Sequence, residues 1–199
     1  MSDEISSIEK KIFELTKKLN ELRKSSPGRE VQNYTFATQN GETTLLDMFG
    51  DSGRLLLIHN MGQGCRYCTL WADGINGFLP HLESAMSVFL VSKDAPDLQR
   101  SFANSRDWRF RLASHGGGIY ASEQTVMEGE SNMPGAVLYE RSGDTITRKN
   151  AAIFGPGDQF CSMWSLLGLA GLDQGDWTPQ YKYWVRPEQM DDGGANLIE

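Results

Sequence analysis

Leu55-Leu56-Leu57-Ile58-His59-Asn60-Met61-Gly62-Gln63-Gly64-Cys65-Arg66-Tyr67-Cys68 is the stretch that decides the reading of this chain. Leu55 to Ile58 are four aliphatic residues in a row with no polar alternation, which predicts a strand buried on both faces. Gly62 and Gly64 mark a loop, and beyond it Cys68, Trp71, Ile75, Phe78 and Leu82 recur at helical spacing. Gly74 and Gly77 weaken this helix. Pro80 is expected to bend or break it, because proline lacks a backbone N–H and its ring crowds the preceding turn. The cysteine pair thus falls where a central strand hands over to a helix. A thiol reacts as its thiolate, and the unpaired N–H groups at a helix start stabilise that anion. Cys65, in the first turn, is the expected attacking thiolate. Cys68, one turn on, is the expected resolving thiol. Arg66 adds a positive charge beside the pair.

Toward the C-terminus, Ser87 to Ser92 reads as a second buried strand, and Asp97 to Ser105 as a helix resting on Leu98 and Phe102. Trp108 to Ala113 alternates like an edge strand, His115-Gly116-Gly117-Gly118 is a connection, and residues 119–132 carry no clear pattern. Gly135 to Glu140, a turn at Ser142-Gly143-Asp144, and Thr145 to Arg148 form a hairpin. A last helix carries Phe160, Met163, Trp164, Leu167 and Leu169, with Asp158 as its N-cap. Toward the N-terminus, Tyr34 to Thr38, the turn Asn40-Gly41, and Glu42 to Leu45 form another hairpin, followed by a helical turn at Asp47-Met48-Phe49-Gly50. Ahead of it, Ile5, Ile8, Ile12, Leu15, Leu19 and Leu22 alternate at spacings of three and four, the seam of a helix. Ser2 or Asp3 caps its start, and Ser25-Ser26-Pro27-Gly28 ends it. The seam lies either on the chain's own domain or against a second copy, which would make a homodimer through this helix. The expected organisation is a helical extension over residues 1–26, an α/β domain over 27–171, and a tail over 172–199. In that tail Trp177, Tyr181, Tyr183 and Trp184 cover the domain, and the last residues are flexible.

The chain has 199 residues, 39% hydrophobic and 23% charged, enough apolar material for one core. A net charge of −7 argues against nucleic acid as a partner, since affinity for phosphate backbones comes from lysine and arginine. No apolar run approaches the roughly 18–20 residues that cross a bilayer, and the N-terminus lacks a basic segment followed by an apolar one. The expectation is a cytoplasmic protein with no membrane partner, where an isolated cysteine pair signals redox chemistry or metal rather than a staple. A four-sulfur zinc site needs two such pairs; here there is one pair and Cys161, and His59, His81 and His115 have no ligand spacing to it. No metal and no cofactor are expected. Cys161 reads as a small buried hydrophobe.

This order, strand, Cys-x-x-Cys at a helix start, strand, helix, then a proline opening a hairpin and a final helix, resembles the thioredoxin fold. The leading hairpin, with Asn40-Gly41 and Thr44-Leu45-Leu46-Asp47, resembles the peroxiredoxin and membrane-tethered thioredoxin-like branch. Cys65 through Gly77, Pro80-His81-Leu82, Trp108, Ser114-His115-Gly116 and Trp184-Val185-Arg186 are similar to an uncharacterised bacterial thioredoxin-like family, a domain of unknown function. The resemblance implies an α/β, thioredoxin-like fold: a central mixed sheet flanked by helices, with an added N-terminal β-hairpin and a long N-terminal helix. It implies that Met133-Pro134 stand where thioredoxins present a cis-proline to the substrate, beside Arg66 and Tyr67. It implies that His59, six residues before Cys65, takes the place of a buried acid and serves as base for the Cys68 proton, with Trp71 packed beneath the motif. Arg-Tyr stands where thioredoxin has Gly-Pro, and thioredoxin's helix proline is absent. Ile58 and Gly62 stand where peroxiredoxins have Pro and Thr or Ser. The activity implied is a thiol-disulfide oxidoreductase acting on protein or small-molecule disulfides and thiols. A thiol peroxidase of peroxiredoxin-like type and a non-catalytic binding or assembly module are the alternatives.

Overall fold

The aliphatic run is a central strand. The computed structural model describes residues 3–173, 175–181 and 183. In chain order it contains helix α1 (Asp3–Ser25), strands β1 (Arg29–Val31), β2 (Thr35–Thr38) and β3 (Gly41–Thr44), and a 3-10 turn (Asp47–Phe49). Then come β4 (Arg54–His59), α2 (Arg66–Glu83), β5 (Ser87–Ser92), α3 (Pro96–Ser105), β6 (Arg111–Ser114) and α4 (Ile119–Glu123). The hairpin β7 (Gly135–Ser142) and β8 (Thr145–Ile153) and helix α5 (Ser162–Leu169) complete it. The strands form one mixed sheet in the order β1-β8-β7-β4-β5-β6-β2-β3. Strands β4, β5 and β6 run parallel, and β7 lies antiparallel to β4 on the other side.

Alternation along the strands sorts the core into two layers. Leu55 and Leu57 of β4 face a cluster with Phe36, Leu45, Met48, Phe49, Tyr120 and Tyr139, which the N-terminal hairpin, the 3-10 turn and α4 close. Ile58, with Leu56 packed beside it, faces Trp71, Ile75 and Leu79 of α2, Ala103 of α3, Phe154 and Trp164. The architecture is the thioredoxin-like α/β fold, a mixed sheet between helical layers, with the hairpin and α1 added.

Several local expectations change. Helix α2 continues through Pro80 to Glu83. Pro80 stands in the last turn, its carbonyl still accepts the N–H of Ser84 at 3.1 Å, and the neighbouring Leu79 is 1% exposed, so packing holds the turn in place. Phe78 and Leu98, read as apolar-face residues, are exposed, while Leu79, Gln99 and Ala103 point inward instead. Strand β6 is an interior strand, parallel to β5 and bridged to β2 through Ala37 and Ser114. Residues 119–132, which show no pattern in sequence, hold the short helix α4. Strand β8 runs to Ile153, and its far edge pairs with β1, where no strand was expected. Cys161, not Asp158, is the N-cap of α5; Asp158 instead accepts the N–H groups of Gly155, Phe160 and Cys161 in the preceding turn. Ser2, as a cap of α1, and the end of the tail lie outside the described residues.

Candidate functional site

Cys65 caps the start of α2 in extended geometry. It is half-exposed, whereas Cys68, in the first turn, is 3% exposed. The two are joined as a disulfide with their Cα atoms 5.3 Å apart. The Cys68 backbone N–H points at Cys65 Sγ at 3.1 Å, and the Met61 N–H points at Cys68 Sγ at 3.5 Å. Each sulfur therefore sits against a main-chain donor at a helix start, an arrangement that favours negative charge on sulfur once the bond opens. The Cys65 carbonyl accepts from Thr69 through both its N–H and its hydroxyl, which locks the first turn.

The loop ahead of the cysteines is held from three sides. Buried Asn60 accepts the Gly62 N–H at 2.8 Å, and Asp94, in the β5–α3 loop, accepts the Gln63 N–H at 2.8 Å. Tyr181, from the C-terminal segment, donates its hydroxyl to the Gln63 carbonyl at 3.0 Å. Gly62 has φ +112°, and a Cβ there would meet the Asp94 carboxylate at 2.8 Å, so both conformation and space require glycine. Asn60 and Asp94 were missed by sequence reasoning, which read Tyr181 only as a tail aromatic covering the domain. Gly62 was the signal for Asp94, a glycine needed because a carboxylate from another element lies against it.

Arg66 is 4% exposed, and its charge is felt by the Tyr181 and Tyr183 phenols, which burial otherwise pushes upward in pKa. Tyr67 is half-buried, its ring 6.4 Å from that of Trp164 and 6.2 Å from that of Trp71. Trp71 in turn meets Phe154 at 5.6 Å, so an aromatic layer underlies the cysteine turn. Pro134 is buried and comes to the same end of the sheet, because the next residue, Gly135, pairs with His59 at the end of β4. Its carbonyl accepts from Phe154 N–H at 2.9 Å, and the Met133-Pro134 bond is trans, in contrast to the thioredoxin pattern. A Cβ on Gly135 would meet the Ala152 carbonyl, which fixes this approach.

His59 lies at the same end but on the other face of the sheet. Its Nε2 is 2.6 Å from the Tyr120 hydroxyl, and among the described residues it has no hydrogen bond to either sulfur. Burial, together with the nearby His115 and Arg148, brings its pKa down to about 3. Burial likewise lowers His115 to about 4, against the pull of Asp94. From Tyr120 a buried polar chain continues: the Tyr139 hydroxyl lies 3.3 Å from Tyr120 and 3.2 Å from Gln124 Oε1. The Gln124 amide donates to Tyr34, and Tyr34 donates to the exposed Glu123 carboxylate at 2.6 Å. Tyr120 stands on α4, Tyr139 on β7 and Tyr34 in the loop ahead of β2, and sequence reasoning gave none of them a part in a site. Cys161 is 6% exposed, its thiol pushed up in pKa by burial, as expected of a small core residue. Among the described residues no three His, Cys, Asp or Glu side chains come together as a metal site.

Solved structures share this fold. PrxQ from Xylella fastidiosa, solved as a cysteine-to-serine mutant, is 18% identical, with a TM-score of 0.53 over 73% of this chain and 96% of that one. Peroxiredoxin Q from Xanthomonas campestris is 16% identical, with a TM-score of 0.51 over 70% and 92%. AhpC from Enterococcus faecalis is 11% identical, with a TM-score of 0.51 over 73% and 96%. No curated protein matches the chain. The family described as "Bacterial protein of unknown function (DUF899)" matches residues 3–190, nearly the whole sequence, and the chain belongs to that family.

Proposed function

We propose that this protein is a thiol-disulfide oxidoreductase whose working group is the Cys65/Cys68 pair. The observation that carries this reading is the asymmetry of the pair: a partly exposed cysteine at the helix cap, bonded to a buried one a turn away. In the reducing direction the Cys65 thiolate attacks a substrate disulfide, forming a mixed disulfide and expelling one substrate thiolate. The Cys68 thiolate then attacks Cys65 Sγ, releasing the second substrate thiolate and closing the Cys65–Cys68 bond. Two electrons pass from the dithiol to the substrate, and a dithiol reductant restores the pair. Met133 and Pro134 lie at the cysteine end of the sheet on the β7 side, where Met133 would offer backbone to an extended partner while the Pro134 carbonyl stays bonded to Phe154. Tyr67 and Arg66 shape the floor, while His59, facing Tyr120, has no part in these steps. A reducing cytoplasm would supply the dithiol. Among the described residues no helix is long and apolar enough to cross a membrane.

The test is reduction of insulin by dithiothreitol in the presence of the protein. The parent accelerates it and Cys65→Ser does not; equal rates would refute the proposal. The fold shared with peroxiredoxin Q structures supports a second reading. In it, Cys65 thiolate attacks a peroxide oxygen and breaks the O–O bond, giving a sulfenic acid and releasing the other oxygen as water or an alcohol; the Cys68 thiol then displaces the sulfenic hydroxyl as water to form the same disulfide. Peroxide consumption coupled to a thiol reductant separates the two, and a flat trace removes the peroxidase.

A further inference from the structure

Helix α1 spans 23 residues, roughly 35 Å at 1.5 Å per residue, and buries none of them. Ile5, Ile8, Ile12, Leu15 and Leu22 are 52, 49, 58, 65 and 60% exposed. Only Thr16, Leu19 and Arg23 are half-buried. Among the described residues the hydrogen bonds that tie α1 to the sheet lie at its C-terminal end, where Asn150 Nδ2 donates to the Arg23 carbonyl at 3.2 Å and, just past the helix, Ser26 Oγ donates to the Lys149 carbonyl at 3.1 Å. Most of the aliphatic stripe thus stays open to water, Leu19 alone of its six residues being half-buried. A stripe at alternating spacings of three and four is narrower than the face of a helix lying on a core, and it is the width that pairs with one further helix.

We propose that this seam closes on the same seam of a second copy, as an antiparallel pair of α1 helices. Charge selects both the occupant and the direction. Residues 3–9 carry Asp3, Glu4 and Glu9 and no base, whereas residues 17–24 carry Lys17, Lys18, Arg23 and Lys24 against the single acid Glu21. A parallel pair sets acidic end on acidic end and basic on basic. An antiparallel pair sets acidic on basic at both ends and opposes the two helix dipoles. It also matches the seam to itself: Ile5 faces Leu22 of the partner subunit, Ile8 faces Leu19 of the partner subunit, and Ile12 faces Leu15 of the partner subunit. The like-charge approach this leaves, Lys11 near Lys18 of the partner subunit, lies on the solvent flank, where salt screens it most. The two domains are carried to opposite ends of the pair, so neither cysteine site is covered.

Sedimentation equilibrium of the full chain at micromolar concentration is the first measurement, and twice the monomer mass is expected. Ile12→Glu with Leu15→Glu gives the monomer, while Phe13→Ser, on the outer face, leaves the dimer. Because α1 adds nothing to either core layer, both variants keep the near-ultraviolet circular dichroism of the parent; deletion of residues 1–25 provides a second monomer. A monomeric parent, or a dimer that survives both the seam variant and the deletion, overturns the proposal. Direction is read by mixing the Ile8→Cys and Leu19→Cys proteins under mild oxidation and mapping bonds by peptide mass. Bonds form between the two proteins in the mixture and not within either alone; an Ile8→Cys protein bonded to itself overturns the antiparallel arrangement.

Discussion

At the scale of single residues the proposed mechanism gives the two sulfurs different tasks, and this difference is open to test. Cys68→Ser leaves the half-exposed Cys65 able to attack but unable to resolve, so incubation with a disulfide is predicted to trap one mixed disulfide per chain, visible by intact mass. Cys65→Ser under the same conditions traps none. The two histidines give a pH prediction. In the folded chain His59 and His115 hold pKa values of about 3 and about 4, below the ordinary 6.5 of an unfolded chain. As pH falls below about 6.5 the unfolded state binds protons that the folded state refuses. The stability present above that pH is then lost, at up to about 1.4 kcal/mol per pH unit for each ring, and less for His115, which keeps some contact with water. Urea unfolding between pH 6.5 and 5, where most carboxylates stay ionised, is predicted to show this slope in the parent and a shallower one in His59→Phe. The cysteines were legible in sequence because their spacing and context suffice to identify them. What His59 faces was not, because counting residues places it along the strand but leaves open which neighbours its ring meets. The position of Tyr120 in a stretch without pattern decides that.

At the scale of elements, the strands and helices near the cysteines follow from local pattern, and the misses have local causes. Pro80 stays inside α2 because it falls in the last turn next to the fully packed Leu79, so one lost hydrogen bond does not outweigh the buried face. Strand β1 carries only three residues, too few to show a period, and exists because β8 offers it an edge. One cluster couples α2 to the C-terminal segment. Asp73 accepts from Arg106 through two nitrogens and from Trp108 Nε1 at 2.7 Å, and Arg106 Nη1 donates to the Tyr181 carbonyl at 2.8 Å. Asp73→Ala strands both donors. Asp73 keeps 35% of its side-chain surface in water, which softens the loss, and a cost of about 2 kcal/mol is predicted in urea unfolding. Trp71→Ala, which empties the aromatic layer under the cysteines, is predicted to cost more, about 3–5 kcal/mol.

At the scale of the whole molecule, the sheet order brings together what sequence separates. Because β4 and β5 run parallel and β7 antiparallel, the end of β4, the loop after β5 and the start of β7 all meet at one edge, where α2 begins and Tyr181 reaches across. The disulfide closes too short a loop to hold this assembly together. Chain-entropy arguments give it about 2 kcal/mol, so reduction is predicted to lower Tm by roughly 4–8 °C and to leave a folded protein. A pair that opens without unfolding its host can cycle. The measurement that bears most directly on this is a redox titration of Cys65 and Cys68 in thiol-disulfide buffers, with free thiols alkylated and counted by mass at each potential. The account predicts one two-electron transition in which both cysteines change together while Cys161 stays unmodified. A pair that remains bonded across the whole range until the chain unfolds, or two thiols that never join, would contradict it.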